Sequence, residues 1–287
     1  MNWTPRRHQF RAILTGEKCL HPASVFDPLS ARVAEDLGFE VSVLAGSVAS
    51  MAVLGAPDHV TITLTELADH AYRICRAGKT PLLIDADNGF GNALNVMRTV
   101  AELETAGVSA LTIEDTALPT PFARTETQDL ISLDEGVGKM RAALAARQDP
   151  GLVIIARTGA IGLSDMNDAI NRAKAYEKTG VDALFLVNIR HKKELKAIHD
   201  AVSLPLLMAH PGDELDIEFL QAHGVRICLQ MHLPILASLK TAHDTMKALR
   251  DGQDQIQIAK NTTSPNLTKI STRDEDYHRW IESFLTP

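Results

Sequence analysis

The chain has 287 residues, 45% of them hydrophobic, enough to bury one large core or two small ones. A formal net charge of −7 with 29 dispersed lysines and arginines excludes a general affinity for nucleic acid, which needs clustered positive charge. No run of eighteen apolar residues occurs and no apolar stretch follows Arg6, Arg7 and His8, which excludes a membrane-spanning chain and a classical export signal.

In chain order, short apolar runs closing in polar residues recur at 24–27, 41–45, 81–87, 110–115, 152–157, 182–187, 204–208 and 225–229, making eight candidate strands. The segments between them return apolar residues every three or four positions, as in 94–103, and read as helices. Such alternation means parallel strands with crossover helices. Several helices end just before a glycine that tolerates positive φ: Gly38, Gly107, Gly180 and Gly224. The expected fold is α/β, a single (β/α)8 TIM-type barrel over 1–287. An open doubly wound sheet would have fewer strands and an early glycine-rich phosphate loop. Residues 252–287 read as a C-terminal helical extension whose Tyr277, Trp280, Ile281, Phe284 and Leu285 pack on a partner subunit. The three cysteines, Cys19, Cys75 and Cys228, form no CxxC pair, so a reducing cytoplasm is the expected compartment.

Barrel active sites form at the C-terminal ends of strands, and here those ends are rich in acids. The third run closes with Asp85 and Asp87, which strand alternation places on one face; the fourth closes with Glu114 and Asp115, and Asp58 follows the second run. Carboxylates converging on one mouth repel unless a cation or protons intervene, and hard oxygen donors without His or Cys select Mg²⁺, with Mn²⁺ as the alternative. For a lone Asp58 or Asp115 a helix cap or loop hydrogen bond is an equal reading. Gly46-Ser47 presents a backbone N–H and a hydroxyl to a carboxylate, or is merely a turn. Arg157 is a carboxylate-binding fork or a structural salt bridge, and His232 a donor or a packed core histidine.

The order 25–27, 45–47, 85–91, 113–115 and 155–158 resembles the isocitrate lyase/phosphoenolpyruvate mutase superfamily over about residues 20–235. Within it the pattern, including His232 and the run 92–100, is most similar to the bacterial oxaloacetate decarboxylase branch. The resemblance implies Mg²⁺ held directly by Asp85 and through water by Asp87, Glu114 and Asp58. It implies a small 2-oxo dicarboxylate bound by Gly46, Ser47, Arg157 and His232, catalysis by Asp85, Arg157 and His232, and a homotetramer with exchanged terminal helices. Two departures stand out. The loop at 116–125 lacks the Cys-Gly-His acid of the superfamily's carbon–carbon lyases, which suits loss of neutral CO₂. Gly159 and Asn88 replace residues common in the family. Another superfamily reaction, either carbon–carbon cleavage or phosphonopyruvate chemistry, and a silent metabolite-binding barrel are the alternatives.

Overall fold

In the computed structural model, the described residues are 1–120, 122, 129–209, 212, 214–262 and 264–286. Eight parallel strands form one sheet in chain order: β1 (Ala23–Ser24), β2 (Ser42–Leu44), β3 (Leu82–Asp85), β4 (Ala110–Glu114), β5 (Val153–Thr158), β6 (Ala183–Leu186), β7 (Leu206–Ala209) and β8 (Val225–Leu229). The sheet curls until its ends meet. Leu20, just ahead of β1, donates its N–H to Arg226 O at 2.9 Å and accepts from Cys228 N at 2.9 Å. The expected eight strands and barrel-type architecture are therefore present, although β1 is only two residues long and Asp27 leaves the first run to cap the following helix.

The helices are α1 (Thr4–Thr15), α2 (Pro28–Asp36), α3 (Gly46–Ala49), α4 (Leu64–Ala77), α5 (Ala93–Ala106), α6 (Leu133–Ala146), α7 (Ala160–Leu163), α8 (Met166–Glu177), α9 (Lys192–His199), α10 (Ile217–Ala222), α11 (Leu233–Arg250), α12 (Gln255–Thr262), α13 (Pro265–Thr272) and α14 (Asp274–Phe284), with a π-helical turn at Ser50–Leu54 after α3. Side-chain caps set several starts. Asp27 accepts from Ser30 N at 2.7 Å at α2, and Thr63 pairs with Glu66 in a capping box at α4. The four glycines expected after helices all have φ between +76° and +95°.

Two cores result. One lies between the sheet and its helices. The other fills the barrel with the alternate residues Val41, Val43, Leu83, Ala110, Val153, Ile155, Phe185, Leu207 and Ile227, plugged at the N-terminal end by Phe10 and Leu14 of α1. Side chains alternate along a strand, so the inward positions two residues beyond Leu83 and Ile155, and four beyond Ala110, are Asp85, Arg157 and Glu114. The packing parity that fills the barrel thus aims these three into its C-terminal mouth.

The C-terminal region is helical, and 252–286 holds three short helices, α12 to α14. Long α11 has no buried residue, and its Leu236, Leu239, Met246 and Leu249 are exposed. Among the described residues no helix is long and apolar enough to cross a membrane.

Candidate active site

Two joined cavities of about 380 and 250 Å³ open at the C-terminal mouth and share Asp58, Asp85, Arg157, Val187 and Asn188 as walls. The first is also lined by Asp87, Glu114, Thr116 and Gly159, the second by Ser47, Arg190 and His232. Asp58, Asp85, Asp87, Glu114, Ser47, Arg157 and His232 therefore line this mouth, whereas Asp115 does not. Gly46 is the indirect case, since a Cβ there would come within 2.9 Å of Asp87 Oδ1. Two larger cavities lie elsewhere, against α1 and α2; the one that carries several acids, Glu17, Glu35 and Glu40, also carries Lys18 and Lys79 and lies at the N-terminal ends of the strands, away from this mouth.

Arg157 organises the mouth. Its Nη1 donates to Asp85 Oδ2 at 2.6 Å and its Nη2 lies 3.0 Å from Glu114 Oε2, a fork between acids on two neighbouring strands. Glu114 and Arg157 are register partners, which places them side by side. The guanidinium also sits 5.4 Å from the Phe185 ring centre. Burial alone would lower its pKa, but Asp85 and Glu114 overturn that and raise it, so the charge is permanent. The salt-bridge reading of Arg157 thus holds alongside its place on the cavity wall.

Asp85 ends β3, and its Oδ1 accepts from Thr112 Oγ1 at 3.0 Å and from Asp87 N at 3.3 Å. Asp87 arrives by a different route from the one expected. The strand has ended, and Asp87 has a left-handed backbone (φ +47°), so a turn and not strand alternation brings its carboxylate beside Asp85. Burial, then the charges of Asp85, Asp58 and Glu114, push the Asp87 carboxyl up to about 8. Asp58 is likewise raised, by burial and then by Asp85. In Glu114, burial raises the pKa and outweighs the opposing Arg157. These acids are short of positive charge.

Asp115 turns away. Its Oδ2 accepts from Tyr176 OH at 2.8 Å and Arg172 Nη1 at 3.1 Å, so it ties β4 to α8. His232 Nδ1 lies 2.8 Å from Ser24 Oγ, joining the start of α11 to β1. Asn188 and Arg190, just past β6, line the cavities but were missed. The polar positions after the sixth apolar run carried the signal, because they close that run as Asp85 closes the third. Asn88 does not supply a site donor here. Its Nδ2 donates to Leu118 O at 2.8 Å, holding two loops together. Of the loop at 116–125, residues 121 and 123–125 lie outside the described residues; Thr116, Leu118, Pro119 and Thr120 line the cavity and carry no ionisable group.

Among the described residues, no three His, Cys, Asp or Glu side chains are gathered closely enough to hold a metal ion as they stand. The donor set nevertheless fits a hard divalent cation, since the mouth offers four carboxylates and the cost of their burial and mutual repulsion appears in the raised Asp87, Asp58 and Glu114. With Arg157 bridging two acids, the arrangement suits an ion with few direct protein ligands and the rest reached through water, the usual habit of Mg²⁺.

The phosphoenolpyruvate phosphomutase family profile matches residues 10–250. The chain is 53% identical over 259 residues to an oxaloacetate decarboxylase of Rhodopseudomonas palustris (strain BisB18), covering 90% of each chain. Among solved structures it is similar to a phosphonopyruvate hydrolase in complex with oxalate and Mg²⁺ (TM-score 0.85, 27% identity, 98% of this chain and 99% of that one). It is also similar to an oxaloacetate acetylhydrolase bound to 3,3-difluorooxalacetate (TM-score 0.84, 25% identity, 98% and 97% covered). With its sheet order, its acid-lined mouth and these matches, the chain belongs to the phosphoenolpyruvate phosphomutase family within the isocitrate lyase superfamily.

Proposed function

We propose that the chain is a carboxy-lyase that converts oxaloacetate to pyruvate and CO₂ with Mg²⁺ as its cofactor, Mn²⁺ being the alternative ion. The observation that carries this reading is the pairing of an acid-rich, Arg157-bridged mouth with a neighbouring wall at 116–120 that, among the described residues, carries no ionisable group. The Rhodopseudomonas relative and the oxalate–Mg²⁺ complex of the hydrolase support the same substrate class and ion.

In this reading Asp85 would hold the ion directly, and Asp87, Glu114 and Asp58 would hold it through water. When bound, Mg²⁺ supplies a Lewis acid that polarises a 2-oxo carbonyl and accepts the negative charge left when the C3–C4 bond breaks. The chain's own residues do the orienting. Gly46 and Ser47 hold the C1 carboxylate at the start of α3, and Arg157, which borders the same cavity as Ser47, fixes the keto acid. His232 borders the second lobe, where the C4 carboxylate turns perpendicular to the carbonyl plane so that the breaking bond overlaps the π system. CO₂ departs neutral, so no protein acid is needed at 116–120. A carbon–carbon lyase, whose departing group must be protonated, needs one there.

The working assembly is a homotetramer in the cytoplasm. Support comes from α11, which buries none of its residues, and from the apolar cavity of about 910 Å³ between α2 and the start of α11, lined by Leu29, Val33, Leu37, Met231 and Leu233. Tyr277, Trp280 and Phe284 of α14 are exposed as well, as expected of an extension that packs on a partner. All three cysteines are free and buried, in keeping with a reducing compartment. The net charge of −7 speaks against nucleic acid as a partner.

A substrate panel tests the reaction. Pyruvate release from oxaloacetate with Mg²⁺, corrected for spontaneous decay, should exceed the free-metal rate, while isocitrate, 2-methylisocitrate and phosphonopyruvate should not turn over. Turnover of one of those three, with oxaloacetate at the free-metal rate, would remove the decarboxylase reading.

A further inference from the structure

The turn that carries Asp87 is held from behind by two buried side chains that do not line the cavity. Across 87–91 only Asn88 has an ordinary φ: Asp87 is at +47°, Gly89 at +79°, Phe90 at +61° and Gly91 at +144°. Left-handed backbone at Asp87 and Phe90 is costly for side chains with a Cβ and persists only where surroundings over-determine it. The surroundings do so through consecutive carbonyls. Lys139 Nζ, from α6, donates to Asn88 O at 3.0 Å, and Thr99 Oγ1, from α5, donates to Gly89 O at 3.0 Å. Lys139 is 2% exposed and Thr99 0%. On the other side Glu114 N donates to Asp87 O at 2.8 Å, which links the turn to the next acid of the mouth.

A buried ammonium is an expensive way to fill space that methionine would fill without desolvating a charge. Lys139 has compensation in the charges of Glu135, Glu114 and Asp115, and its ammonium is spent on a main-chain carbonyl of the turn. Thr99 likewise aims its hydroxyl at the turn and not at its own helix.

We propose that Lys139 and Thr99 are positioning residues that lock the Asp87 turn in its left-handed shape, and so set the affinity of the mouth for a divalent cation. The proposal rests on the reading of Asp87 as one of the cation's acids. Lys139 and Thr99 touch neither substrate nor ion, and act through the backbone at Asn88 and Gly89.

The test is direct Mn²⁺ binding to the full chain without substrate, followed by electron paramagnetic resonance, for the wild type and for Lys139→Met, Thr99→Val and Thr99→Ser. Metal affinity should fall about 10- to 100-fold in Lys139→Met and Thr99→Val, the usual effect of removing a partner that orients a ligand. Thr99→Ser, which keeps the hydroxyl, should bind as the wild type does. At saturating Mg²⁺ the KM for oxaloacetate should stay within about twofold of wild type, since the substrate contacts are intact. If Lys139→Met fails to fold, the Thr99 pair decides alone. Wild-type affinity in Thr99→Val, whatever its melting temperature, overturns the proposal and leaves the cation reading standing. A wild type that binds no Mn²⁺ overturns the cation reading, and this proposal with it.

Discussion

Arg157 and the acids around it are interdependent, so single substitutions there separate charge from shape. Asp85→Asn keeps the size of the side chain and its hydrogen bond from Thr112, but removes the charge that faces Arg157 and the proposed cation. Turnover with Mg²⁺ should drop by about 10²-fold or more, with the melting temperature little changed. Near-normal turnover would show that Asp85 holds no ion. Arg157→Ala should have two consequences, because it removes a proposed substrate contact and also strands Asp85 and Glu114 without their counter-charge. KM should rise, and stability in denaturant should fall by about 1–3 kcal/mol, the scale for breaking a partly buried pair. Added Mg²⁺ should recover part of that loss; an unchanged unfolding midpoint would contradict the pairing.

Asp87 provides the pH dependence. Its folded pKa, about 8, lies above the ordinary carboxylate value, so the folded metal-free protein holds this proton more tightly than the unfolded chain does. The stabilisation is present in full below the unfolded pKa and is lost as pH rises through about 8. A cation displaces the proton, so Mg²⁺ affinity should climb with pH up to that value and then level off. Calorimetry in buffers of different ionisation heat should detect proton release on Mg²⁺ binding at neutral pH. Binding with no proton released would show that Asp87 is already ionised.

At the scale of elements, strand parity made most of the site legible in advance: the alternation that buries Leu83, Ala110 and Ile155 delivers Asp85, Glu114 and Arg157 to the mouth. Asp87 was found for the wrong reason. Alternation has no hold beyond the end of β3, and a glycine-rich turn with positive φ delivers the carboxylate instead. Asp115, equally prominent in sequence, belongs to the Arg172–Tyr176 network because it points outward where Glu114 points inward. Asn188 and Arg190 were passed over since they follow β6 without an acid to draw notice. The turn also yields a stability prediction. Gly89 has φ +79°, and a Cβ there would lie 2.4 Å from Val96 Cγ2. Gly89→Ala should therefore cost about 1–3 kcal/mol and weaken metal binding together, as read by thermal melts with and without Mn²⁺. Wild-type stability in that variant would mean that the turn relaxes freely.

At the scale of the whole molecule, the barrel encloses its own site, while α11 to α14 present apolar surface that one chain does not cover. Truncation before 252 should leave monomers or aggregates in analytical ultracentrifugation, because the helical extension is then absent from the proposed tetramer. A soluble tetramer of the truncated chain would place the interface elsewhere. Decarboxylation itself is tested most directly by the fate of the C3–C4 bond, since a hydrolase acting on the same dianion would cut between C2 and C3. Carbon-13 NMR of oxaloacetate labelled at C4, with protein and Mg²⁺, should show labelled CO₂ and bicarbonate together with unlabelled pyruvate, formed faster than with Mg²⁺ alone. Label appearing in acetate, accompanied by oxalate, would contradict it.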